Sequence, residues 1–191
     1  MLIFISQYSI PMKYKYSFLL FCVFFIALII YYVYPEKTLA KDFITTKIIV
    51  EKSKHKMYLY DGNKLGKAYK ISMGANPTGH KHEQGDEKTP EGKYIIDYKN
   101  DKSMAYLSMH ISYPNSSDKS YATSDYRNPG GDIMIHGLPN SIKYAGKFHR
   151  WYDWTNGCIG VTNKEMDEIW RSVKVGTEIV IKPLKIFNKF V

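Results

Sequence analysis

From Ser17 to Val33 the chain carries seventeen residues without a charge, preceded by Lys13 and Lys15 and followed by Tyr34-Pro35-Glu36-Lys37. The stretch is apolar on every side, which predicts a signal peptide or a membrane anchor with its basic end in the cytoplasm. A buried core helix is the competing reading, and nothing amphipathic supports it. The length favours an anchor, whereas Thr38-Leu39-Ala40 resembles a small-x-small cleavage site and favours removal. Met12-Lys13-Tyr14-Lys15 has the character of a signal n-region, so Met12 is an alternative start to Met1. Residues 1–40 are therefore read as the export or anchoring segment, and 41–191 as a domain outside the cytoplasm.

Beyond residue 40 the pattern changes to short alternating runs. Thr46–Glu51 and Lys56–Tyr60 read as strands, and Asp61-Gly62-Asn63 turns the chain into a third at Lys67–Met73. Residues 74–92 are polar and rich in Gly and Pro, hence a loop. Lys93–Tyr98, Ala105–Ile111 and Asp132–His136 resume strand character, while Pro139–Phe148 suits a short helix or loop. One helix is clearly marked. Thr162 and Glu165 form a capping box, and Met166, Ile169, Trp170 and Val173 share one apolar face. Gly176 is expected to end this helix before a strand at Thr177–Lys182. The domain is thus expected to be mainly β, with one helix packed against it and Trp170 in the core.

About 150 residues suit a single domain with its own core. The net charge of +9 falls to about +7 there, because Lys13, Lys15, Lys37 and Glu36 lie upstream. Such a balance suits anionic polymers such as peptidoglycan, although scattered solvated lysines are the commoner cause. The lysines are dispersed and no reader motif is present, so nucleic acid is not an expected partner.

Of two cysteines, Cys22 lies in the apolar segment and Cys158 stands alone in the domain. A lone cysteine in an oxidising compartment is a candidate reactive thiol, and a small buried hydrophobe is the alternative. His136, at the end of a strand, is the candidate general base, its other ring nitrogen oriented by a backbone carbonyl such as that of Gly137. Gly157 frees the space beside the sulfur, and its amide, with that of Cys158, is placed to stabilise an oxyanion. His149, nine residues before Cys158, is the second choice as base. A zinc site built from Cys158, His136 and His149, or from His80 and His82, is disfavoured by spacing and by the single thiol. His80 and His82 are expected to be solvated. His110 is left between the core and the cleft.

These residues resemble the L,D-transpeptidase catalytic domain, the YkuD type. His136-Gly137 and Thr155-Asn156-Gly157-Cys158 match its His-Gly/Ser and Ser/Thr-x-Gly-Cys elements. The murein L,D-transpeptidase subgroup is also echoed at Gly85–Gly92, His110–Asn115, Pro129–Pro139 and Asp167–Trp170, so the resemblance spans about residues 45–183. It implies a β-rich, sandwich-like fold and no metal or organic cofactor. It further implies a Cys158 thioester acyl-enzyme on peptidoglycan stem peptides, with His136 as base and the Gly137 carbonyl completing the triad. Asn156, Tyr113, His110 and His149 are the candidate substrate contacts. The chain departs from many members at Asn156, where histidine is frequent, and at Gly160, where arginine is frequent. Transfer to an amine, including attachment of wall protein, is the favoured outcome. A hydrolase or amidase of the same fold and a non-catalytic wall-binding module are the alternatives.

Overall fold

The computed structural model describes residues 11–184. The chain divides into two units, one ending at Lys37 and one beginning at Thr38. Within the first, α1 (Met12–Val33) is a 22-residue helix with no buried residue. At 1.5 Å per residue it is about 33 Å long, enough to cross a bilayer core. Length and composition suit an anchor and a leader equally.

The second unit contains β1 (Thr45–Glu51), β2 (Lys56–Asp61), β3 (Lys64–Lys70), β4 (Gly92–Ser103) and β5 (Tyr106–Ile111), then α2 (Ser116–Ser124), β6 (Met134–His136), β7 (Ile159–Gly160), α3 (Asn163–Ser172) and β8 (Val173–Lys182). The strands form one mixed sheet in the order β3-β2-β1-β8-β4-β5-β6-β7. The β-rich architecture expected from the alternating runs is present, built as a single continuous sheet. The long strand β4 makes this possible, because Gly92–Ile95 pairs with β8 while Ile96–Ser103 pairs with β5. The sheet curls until its ends meet. Ser72, just past β3, exchanges both backbone hydrogen bonds with Gly160 of β7, at 3.0 and 2.9 Å.

Alternation along the strands becomes alternation of burial. Ile48 and Val50 of β1, Met57 and Leu59 of β2, and Ile179 and Ile181 of β8 are all buried in one core. Each such side chain contributes about 1.5–3 kcal/mol by leaving water. Met166 and Ile169 bring the apolar face of α3 onto it, and Trp170 is partly buried at its margin. The helix begins as the sequence indicates, with Thr162 accepting from the Glu165 amide and Glu165 accepting from the Thr162 amide. It ends earlier than expected. Val173 is already extended, and Gly176, at φ +91°, lies inside β8 instead of terminating the helix.

A second helix, α2, was not expected, because it has no apolar stripe and only Ala122 is buried. Polar anchoring replaces the stripe. Asn115 and Asp118 form a capping box, and Asp118 also accepts from His80 Nε2 at 3.0 Å and from the Tyr94 hydroxyl at 3.1 Å. Glu91 N–H donates to His80 Nδ1 at 2.8 Å, so His80 is fixed rather than solvated. His82 stacks on Tyr121 with ring centroids 4.4 Å apart.

The polar segment 74–91 is held by a buried cation. Lys52 is fully buried, and its three ammonium protons match Gly79 O at 2.6 Å, Thr89 O at 2.9 Å and Glu91 Oε1 at 2.8 Å. Removing one partner of a buried pair strands the other. Lys52→Met should therefore lower stability by about 3–5 kcal/mol in denaturant unfolding and speed amide exchange in residues 79–91. Wild-type stability in that variant would show the ammonium to be dispensable.

Candidate active site

The site is assembled by the pairing of β6 with β7. These strands run parallel with Ile135 opposite Ile159 and His136 opposite Gly160. Ile135 and Ile159 point into the core. Side chains alternate along a strand, so His136 and Cys158 project on the opposite face together. Both line one depression, with Trp154, Met104, Pro139 and Asn140 among its walls. Cys158 and Asn156 also line a second depression, walled by Lys81, Glu87, Asp132 and Gly130. The sulfur thus lies between two pockets. The first has no charged side chain in its walls among the described residues, whereas the second has three.

The turn that presents the thiol admits only glycine at 157. Its φ is +121°, and a Cβ there would lie 2.5 Å from the Lys88 carbonyl oxygen. Thr155 ties the turn by donating from Oγ1 to the Cys158 carbonyl at 2.7 Å. The Gly157 amide, expected to face a reacting carbonyl, instead donates to Thr155 Oγ1 at 3.2 Å. The turn is strapped to the segment after β3, where Thr155 N–H donates to Met73 O and Ala75 N–H to Thr155 O.

His136 is buried and its Nδ1 lies 2.6 Å from the Gly137 carbonyl. A carbonyl only accepts, so Nδ1 carries the proton and Nε2 keeps its lone pair. Gly137 has no room for a side chain, since a Cβ would meet Asn163 Oδ1 at 2.7 Å. The thiol is satisfied on its other side: Sγ donates to Asp132 O and accepts from Met134 N–H, each at 3.4 Å. Asp132 holds its carbonyl there from a left-handed backbone, φ +55°. Burial raises the Cys158 thiol above its ordinary value, partly offset by the Met134 amide. Burial also lowers His136, opposed by the Gly137 carbonyl. The two shifts favour a neutral thiol beside a neutral imidazole.

The remaining candidates lie elsewhere. His149 is buried 2 % exposed behind the site. Ser72 Oγ donates to His149 O at 2.8 Å and so takes the Nδ1 proton at 2.9 Å. Burial pulls the imidazole down to about 3. His110 pairs with Asp97 at 2.6 Å and stacks on Tyr98. Tyr113 is buried, donating to Pro129 O at 3.0 Å. None of the three lines either pocket at Cys158, whereas exposed Asn156 lines both. Sequence reasoning missed Trp154, Ser72 and the Asp132 carbonyl. The only signal for Trp154 was the unusual glycine at 160. No cluster of three metal-ligating side chains occurs among the described residues.

The family model of the L,D-transpeptidase catalytic domain, YkuD, matches residues 45–181. The chain belongs to that family. YafK of Escherichia coli strain K12, an L,D-transpeptidase by name, is 32% identical over 108 residues, covering 56% of this chain and 36% of YafK. The helical cell shape determining protein Pgp2 of Campylobacter jejuni superposes with a TM-score of 0.55 at 22% identity, covering 76% of this chain and 50% of Pgp2. A single-site variant of Pgp2 gives 0.56 at 23%, covering 78% and 51%. The chain therefore spans little more than a third of the curated relative and about half of the solved one. At that identity the Pgp2 likeness shows a shared fold alone.

Two measurements test the electrostatics of this L,D-transpeptidase site. The rate of Cys158 alkylation by iodoacetamide should climb steadily with pH, with its inflection above the ordinary thiol value of about 8.5. A plateau of fast labelling from pH 5 to 7 would reveal a resting ion pair instead. Buried His149 stays neutral in the fold while the unfolded chain takes up a proton below about pH 6.5, so stability should fall on acidification from there towards pH 3. Between pH 7 and 5 the loss should be about 2 kcal/mol in urea unfolding. His149→Gln should remove that part; an unchanged pH dependence would assign it to other groups.

Proposed function

We propose that this protein is a cysteine-dependent acyltransferase acting on peptidoglycan stem peptides at the outer side of the cytoplasmic membrane. The observation that carries the reading is the β6–β7 register, which puts Cys158 and His136 on one face within one pocket. α1 and the basic domain suit such a location, either as a retained anchor or after removal of a leader.

The reaction begins when Sγ turns from the Asp132 carbonyl and gives its proton to His136 Nε2. Sγ attacks the carbonyl carbon of the donor peptide, and negative charge collects on the carbonyl oxygen. The Cys158 amide, in the same turn, is the donor for that oxyanion, because Thr155 occupies the Gly157 amide. One well-placed donor lowers such a barrier by about 3 kcal/mol. His136 returns its proton to the leaving amine as the C–N bond breaks, leaving a Cys158 thioester. An acceptor amine then loses a proton to His136 and attacks the thioester, restoring the thiol. The two pockets meeting at Cys158 let donor and acceptor approach one sulfur from different sides. Gly137 fixes the tautomer that this proton shuttle needs, and Asn156, exposed between the pockets, is the side chain placed to touch both substrates.

Purified protein incubated with peptidoglycan and a labelled amine should put label into new stem-peptide ends, read by mass spectrometry. Cys158→Ala should lower that incorporation by at least about a thousandfold, the scale of losing a nucleophile. Loss of existing linkages without label would name water as the acceptor. Activity surviving in Cys158→Ala would remove the cysteine mechanism altogether.

A further inference from the structure

Among the described residues, the pocket containing His136 offers no carboxylate to stabilise the imidazolium that proton transfer creates. Cys158 shares the pocket, and His149 lies against the same indole as His136; Arg150 next to His149 is paired with Glu165 at 2.6 Å, and the Tyr106 hydroxyl is held by Asp167 at 2.8 Å. His149 is neutral for the reason given above. What does face His136 is an indole. The Trp154 ring lies 5.8 Å from it, centroid to centroid, inclined at 72°. A cation set over the face of an indole is attracted to it out to about 6 Å from the ring centroid.

Glycine at 160 lets the indole pack closely against the β7 backbone. A Cβ on Gly160 would stand 3.2 Å from Trp154 Cζ2, so the ring would have to give by a few tenths of an ångström to admit a side chain. On its other flank Trp154 meets His149 at 6.5 Å and 86°. His149, in turn, is fixed by Ser72, whose backbone pairs with Gly160. Ser72, His149, Trp154 and Gly160 therefore form one closed set of contacts ending on His136.

We propose that Trp154 is the positioning residue of the base: admitted by Gly160 and backed by His149, its indole holds the His136 ring and stabilises the imidazolium. This rests on His136 acting as the base, as proposed above.

The test uses the full chain in detergent. His136 is titrated by NMR in a Cys158→Ala background, and Cys158 alkylation is followed with the thiol present. Trp154→Leu should move the His136 midpoint to lower pH and slow alkylation near neutrality by about two- to fivefold, the reach of one cation–π contact. Trp154→Phe, which keeps a weaker ring, should fall between leucine and wild type. A purely structural role would lower the melting temperature without ordering midpoints as Trp, Phe, Leu. Equal midpoints in folded Trp154→Leu and wild type overturn the proposal. If the leucine variant does not fold, an unshifted midpoint in Trp154→Phe overturns it. His136→Ala separates the two readings. Labelling as fast as wild type in that variant defeats His136 as base. Slowed labelling there, with wild-type labelling in Trp154→Leu, defeats only the role of the indole.

Discussion

The parallel register of β6 on β7 is the constraint on which the rest of the structure depends. Ile135 opposite Ile159 buries one pair of side chains and thereby commits the other face to His136 and Cys158. A slip of one residue would send both reactive groups into the core and both isoleucines into the pocket. The strands are only three and two residues long. Their pairing is held from outside, by Ser72 on the far edge of β7 and by β5 on the far edge of β6.

A second line of support reaches the thiol from the end of an interior strand, β1. Lys52, past the end of β1, holds the carbonyls of Gly79 and Thr89. Thr89 Oγ1 takes the Gly74 amide at 3.0 Å, and the neighbouring Lys88 carbonyl presses against Gly157. The conformation beside the sulfur is thus set by a buried ammonium more than 100 residues away in sequence. Glu165 acts similarly on the other side, capping α3 while pairing with Arg150 next to His149. In both cases a charged side chain inside the protein joins segments that apolar packing alone would leave loosely placed.

What could be read from the sequence follows from how local each signal is. Cys158, His136 and Gly137 stand in two short runs whose residue types carry their own chemistry. The start of α3 was legible for the same reason, as Thr162 and Glu165 are three residues apart. Val173 misled because its i+7 spacing continues the helical face, although the backbone has already turned extended. Helix α2 was missed because its local cap, Asn115 and Asp118, is followed by no apolar stripe, and its other partners, His80 and Tyr94, lie far upstream. A similar distance separates His149 from Ser72, so its burial and fixed tautomer could not be read from the sequence. Tyr113 and His110 sit in a run that matched the family, yet their side chains are spent on Pro129 and Asp97.

The meeting of Ser72 with Gly160 also bears on how the protein survives among other unfolded or partly folded chains. Open strand edges recruit further strands, and a two-residue edge beside Cys158 would be a poor one to leave bare. Here that edge is occupied by the chain's own backbone, so β7 offers no unpaired ladder. The opposite margin, β3, pairs only with β2 among the described strands. It carries exposed Lys64 and Lys70, while Lys67 is paired with Glu168, and the exposed charges repel a second copy approaching in register. One edge is therefore shielded by closure and the other by charge, which guards the sheet against edge-to-edge aggregation.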